Sequence, residues 1–188
     1  MKLVLGSKSP RRKEILEMVT KDFDVRVSDA DESYDSGTPL SDVPRILAER
    51  KAMAIPLYED EVVIGCDTVV ICEDELMGKP ADKADAVRML KRINGKSHLV
   101  VSGICVRTAE RVYSESVTTV VTFRSVTDRE IENYVNICNP VDKAGAYGIQ
   151  EMAGAFVEKI DGDFYNVVGL PLCRLCEILR EQMKIDIL

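Results

Sequence analysis

Residues 6–12 read GSKSPRR and follow directly on the apolar run Leu3-Val4-Leu5. Ser9 suits a helix N-cap and Pro10 the first helical position, where a missing N–H costs nothing. Arg11 and Arg12 then fall in the first turn, where cations oppose the helix dipole. A bound anion reverses that sign. Backbone N–H groups, the Ser7 hydroxyl and two guanidinium forks together make a phosphate-binding corner. The plainer alternative is a capped helix whose arginines make surface ion pairs.

Residues 64–70, IGCDTVV, set Asp67 inside a β-branched run, where strand interiors disfavour aspartate. A carboxylate there can bind a divalent cation or orient a water. A β-bulge with Asp67 capping a turn is the alternative. Asp29, Asp31, Glu32 and Asp35 offer further metal-ligand oxygens, or a solvated loop. Lys51 and Lys79 read as surface lysines unless the fold turns them inward. The turn GKP at 78–80 would let Lys79 reach a phosphate. In DKAGAYGIQ (142–150), Gly145 and Gly148 allow positive φ, Tyr147 offers a ring for stacking, and the Gln150 amide can read a base edge. The alternative there is a flexible loop.

Two common nucleotide motifs are missing. No GxGxxG follows the first strand, and the Gly-Lys-Ser at 95–97 lacks the earlier P-loop glycine, because position 90 is Leu. Asn94-Gly95 is better read as a helix end.

These residues need positioning elements. The pattern predicts strands over 2–6, 23–28, 61–72, 97–107, 112–124 and 155–160. It predicts helices over 9–20, 41–55, 82–94 and 127–138, with a further helix at the C-terminus. Val43, Ile46, Leu47 and Met53 are expected to face inward. Strands and helices interleave, so the class is mixed α/β. The adjacent long strands make part of the sheet antiparallel.

The chain of 188 residues suits one domain over 1–188, or two small lobes sharing a core, and its 46% apolar content excludes global disorder. A net charge of −7 argues against a nucleic-acid binder but allows a local cationic pocket for a small anion. No apolar run approaches the ~20 residues that span a bilayer, and no secretory pattern opens the chain, so a cytoplasmic location is expected. The six cysteines then read as reduced and mostly buried, with Cys173 and Cys176 as helix-packing thiols. A single histidine, His98, leaves no multi-histidine metal site and makes a Ser-His-Asp mechanism a poor fit.

Taken in order, LVLGSKSPRRKEIL, IGCDTVV, GKP, GKSHLVVSG, DKAGAYGIQ and KIDGDFYNVVGLP resemble the Maf family of septum-formation-inhibitor-like nucleotide pyrophosphatases. The resemblance spans nearly the whole chain. It implies metal-dependent hydrolysis of a nucleoside triphosphate to monophosphate and pyrophosphate. Asp67 matches the family's general-base aspartate, with Cys66 where the family has alanine. Arg11, Thr68 and Gln150 match positions linked to substrate choice, and the combination looks like the branch acting on dTTP and UTP. Ser7, Arg12, Glu32, Lys51 and Lys79 fall on other pocket positions. Glu32 and Asp67 are the expected ligands of a divalent cation, Mg²⁺ or else Mn²⁺. The fold implied is an elongated α/β structure with a cleft between lobes, similar to inosine triphosphate pyrophosphatases, in a homodimer. The rival expectations are a nucleotide-sensing regulator of cell division without turnover, and a broader phosphatase releasing orthophosphate.

Overall fold

Leu3, Val4 and Leu5 are almost fully buried and lie in β1 (Lys2–Leu5) of a computed structural model that describes residues 1–27 and 29–187. β1 pairs in parallel with β2 (Phe23–Val25) on one side and β3 (Glu61–Cys72) on the other. Antiparallel pairing then adds β5 (Ser97–Arg107), β6 (Val112–Phe123) and β7 (Val157–Asp161). A short strand, β4 (Glu75–Met77), folds back on the end of β3. The seven-stranded sheet has the order β2-β1-β3-β5-β6-β7. It is the mixed, partly antiparallel sheet that the adjacent long strands imply.

The two faces of the sheet are covered differently. One carries α1 (Pro10–Leu16), α3 (Lys83–Ile93), α4 (Asp128–Cys138) and α6 (Leu172–Gln182), whose Ile15, Leu90, Ile131 and Leu175 join one large core with Leu5, Ile64 and Ile104. A capping box between Thr127 and Glu130 starts α4, and Asp82 caps α3. The other face carries α2 (Val43–Ala54), where Ala48 and Ala52 meet Val4, Val63 and Cys105. That helix lies unusually close. A Cβ at Gly65 would sit 2.3 Å from the Ala48 carbonyl oxygen, and one at Gly103 only 2.0 Å from that of Pro44. The bare faces of two neighbouring strands thus admit the helix backbone itself.

Several expectations change. Met53 is half exposed, because the buried stripe of α2 runs through Val43, Leu47, Ala48 and Ala52, and Ile46 is only partly covered. The first helix stops at Leu16, and the strand expected over 23–28 is short, with Ser28 outside the described residues. Strand β4 and the one-turn helix α5 (Phe164–Val168) were not anticipated. All six cysteines are free, and Cys173 is exposed rather than packed.

His98 is buried, and burial lowers its pKa from 6.5 to about 4. Its Nε2 lies 2.8 Å from the Tyr147 hydroxyl, while Nδ1 has no partner. The unfolded chain therefore binds a proton in a window where the folded chain does not, so stability falls as pH drops from 6.5 towards 4. Between pH 7 and pH 4.5 the wild type should lose about 2–3 kcal/mol more than His98→Leu. Urea titrations at both values check this, and equal losses would refute it.

Candidate functional site

The site begins with an interruption in pairing. β5 accompanies β3 from Val63 to Ile71, but on the other side β1 pairs only as far as Ile64 and β4 only from Val70. Residues 65–69 therefore form an open edge, and Asp67 and Thr68 lie on it. The register with β5 runs unbroken through Asp67↔Gly103 and Thr68↔Ser102, so no bulge explains the aspartate. The open edge floors a cavity of about 710 Å³ that is also lined by the start of α1, by α2 and by the 142–151 loop. Lys8, Arg11, Arg12, Lys51, Lys79 and Lys143 line it, against five carboxylates: Asp29, Glu32, Asp67, Asp142 and Glu151. A chain of net charge −7 thus gathers a local cationic excess here.

Side chains alternate across the edge. Asp67 faces α2, where Lys51 Nζ lies 2.5 Å from its Oδ1 and 2.8 Å from Glu32 Oε1. Burial alone would lower the Lys51 pKa, but Asp67 and Glu32 outweigh it and leave the ammonium raised above its usual range. Glu32, hydrogen-bonded by Lys51, is held below the ordinary carboxylate range. Lys51 reaches Asp67 because the two strand glycines let α2 settle against the sheet.

Thr68 faces the other way. Its hydroxyl lies 2.8 Å from Ser102 Oγ and accepts from Arg12 Nη2 at 3.2 Å. Arg12 also donates to Gly169 O at 2.8 Å, Cys66 O at 2.8 Å and Ser7 Oγ at 3.3 Å. These bonds engage most of its five N–H donors and cover the open edge, where the Cys66 carbonyl lacks a strand partner. Ser9 holds the N-cap position without a side-chain cap bond; instead its N–H donates to Ser7 Oγ at 3.2 Å. Arg12, Ser7 and Thr68 therefore form one wall of the cavity. Thr68 has little capacity left to read a base directly.

The 142–151 loop differs from expectation at two residues. Tyr147 is buried, edge-on to Phe123 and His98, so its ring belongs to the core and cannot serve as a stacking platform. Gly145 takes φ +67°, as the loop reading requires, but Gly148 does not have positive φ. Its need is space: a Cβ there would lie 2.9 Å from Lys143 Cε. Lys143, within this loop, was not singled out from the sequence. It is buried, with Nζ 2.8 Å from Asp142 Oδ1 and 3.3 Å from Glu151 Oε1. Asp142 Oδ2 also accepts from Arg11 Nη1 at 3.3 Å. Gln150 and Lys79 are exposed on the cavity lining.

Ser7, Arg11, Arg12, Glu32, Lys51, Asp67, Thr68, Lys79 and Gln150 all line this cavity, as does Asp29. Asp31 instead turns to Ser33, whose hydroxyl donates to it at 2.6 Å. Among the described residues no three His, Cys, Asp or Glu side chains converge as a metal cage. Mg²⁺ does not need one, since it is commonly held by one or two carboxylates together with substrate phosphates. Glu32 and Asp67, brought to one ammonium, fit that pattern.

The chain matches the Maf-like protein family over residues 2–182. A dTTP/UTP pyrophosphatase of Thermosipho africanus (strain TCF52B) is 44% identical over 190 residues, covering 99% of this chain and 96% of that protein. Another, from Clostridium novyi (strain NT), is 45% identical over 183 residues, covering 95% of this chain and 96% of its own length. Among solved structures, the Staphylococcus aureus Ham1 protein aligns at a TM-score of 0.45 and 14% identity over 65% of this chain and 72% of its own. That last likeness is too loose to assign fold or activity.

Proposed function

The chain belongs to the Maf-like protein family, and we propose that it is a nucleoside triphosphate pyrophosphatase that hydrolyses dTTP and UTP to the monophosphate and pyrophosphate. The observation that carries this reading is the Asp67 carboxylate, set against Lys51 on the floor of a cation-rich cavity. Asp67 accepts a proton from a water that attacks the α-phosphorus, and pyrophosphate leaves. Lys51 orients the carboxylate and offsets its charge beside the phosphates. Lys79 and Lys8 screen the outer phosphates from the exposed rim. Arg12 and Ser7 shape the wall against which the triphosphate lies, and Thr68 fixes Arg12. Arg11 and Gln150, at the mouth, face the base. A divalent cation held by Glu32 and Asp67 would neutralise phosphate charge when bound. Catalysis is then mainly positioning and charge stabilisation, which phosphoryl transfer chiefly needs.

We also propose a homodimer in the cytoplasm. Light scattering tests the mass, with twice the chain mass expected and the mass of one chain contradicting it. No helix among the described residues is long and apolar enough to cross a membrane.

The test is a panel of nucleoside triphosphates with Mg²⁺, assayed for pyrophosphate and orthophosphate separately. Pyrophosphate from dTTP and UTP supports the enzyme. Binding without turnover favours a nucleotide-sensing regulator, and orthophosphate as the first product favours a phosphatase.

A further inference from the structure

Lys143 is the buried lysine that the mechanism above leaves without a task. It is 8% exposed, yet the carboxylates that hold it are far more open, with side chains 59% exposed for Asp142 and 40% for Glu151. Its stem runs beneath the loop, past Gly148, where an added Cβ would lie 2.9 Å from its Cε and push it aside. One ammonium therefore ties both ends of the 142–151 loop. Beyond each tie stands a residue at the mouth: Asp142 holds Arg11, and Glu151 adjoins Gln150. Burial opposes the Asp142 charge, but Lys143 and Arg11 outweigh it and keep its pKa low.

Base selection needs such a tie. A glutamine amide by itself discriminates poorly, because a half-turn of the side chain exchanges its donor and acceptor. Thymine and uracil carry a carbonyl at the position where cytosine carries an amino group. An arginine only donates, so it favours the carbonyl, provided its guanidinium is aimed. Asp142 aims Arg11, and Lys143 holds Asp142. We propose that Lys143 is a positioning residue for base selection, fixing Arg11 through Asp142 and the Gln150 end of the loop through Glu151. The proposal rests on the pyrimidine nucleotide reading above.

The test uses the purified full chain with Mg²⁺ and measures kcat and KM for dTTP and dCTP. In Lys143→Met the loss should fall on KM for dTTP more than on kcat. The ratio of kcat/KM between dTTP and dCTP should drop by about tenfold or more, as loosened positioning predicts. Lys143→Arg should restore part of that ratio. Glu151→Gln, at a half-exposed site that does not endanger folding, should lower the ratio about threefold and add little to Lys143→Met, because coupled residues are not additive. A folded Lys143→Met that loses dTTP and dCTP turnover equally, with the ratio unchanged, would show a plain phosphate-binding cation and overturn the proposal. Should Lys143→Met fail to fold, an unchanged ratio in both Glu151→Gln and Asp142→Asn overturns it instead. A wild type that turns over neither nucleotide removes the pyrimidine reading before any variant is measured, which separates the two failures.

Discussion

Asp67→Asn is expected to lower kcat for dTTP by about a thousandfold, within the range a general base contributes, while nucleotide binding stays within a few-fold. The asparagine keeps the shape of the side chain, and its carbonyl oxygen can still accept from Lys51, which lies 2.5 Å from Oδ1 in the wild type. The register with β5 needs no change, since Asp67 pairs opposite Gly103 in an unbroken ladder. The variant loses the ability to take a proton, one negative charge beside the phosphates and, with that charge, one of the two proposed cation ligands. Without Mg²⁺, where the cation that Asp67 would hold plays no part, losing that charge does not weaken binding of an anion, so a large rise in the dissociation constant measured there would assign Asp67 to substrate binding instead. Steady-state rates combined with calorimetric titration of a non-hydrolysable dTTP analogue separate the two outcomes.

Gly103→Ala should cost about 3 kcal/mol or more, at the upper end of overpacking, and lower the Tm by about 10 °C. The added methyl would lie 2.0 Å from the Pro44 oxygen and 2.3 Å from the Arg45 nitrogen. These are backbone atoms of α2 and cannot rotate away, so the helix must lift. Lys51 rides on that helix, and a lift of even part of an ångström draws its ammonium from Asp67. Activity should therefore fall further than the loss of folded protein at the assay temperature explains. Thermal melts and kcat measured well below the melting point check both parts. An unchanged Tm would mean that α2 does not seat on the glycine.

The central strand and its aspartate were legible in the sequence for a simple reason. A β-branched run with one carboxylate inside it has few structural explanations, and the unbroken register removes the bulge. The arginine pair after the first strand was legible in the same way. Its division of labour was not, because Arg12 turns to the carbonyls of Cys66 and Gly169 and the hydroxyl of Ser7, on three separate segments that only the fold brings together. The arrival of Lys51 at Asp67 depends on Gly65 and Gly103, whose role nothing in the strand pattern marks until a helix is laid over them. Tyr147 misled for a related reason. An aromatic in a glycine-rich loop resembles a ligand platform, whereas its burial is decided by His98 and Phe123 on β5 and β6. Lys143 carried no signal beyond a neighbouring aspartate, and Glu151, its second partner, lies across a loop whose closure no periodicity records.

Hydrolysis of dTTP in water enriched in heavy oxygen reports which phosphorus the water attacks. With Asp67 directing attack on the α-phosphorus, mass spectrometry should find the label in the monophosphate and none in the pyrophosphate. Label in the pyrophosphate, or in orthophosphate released first, would contradict it.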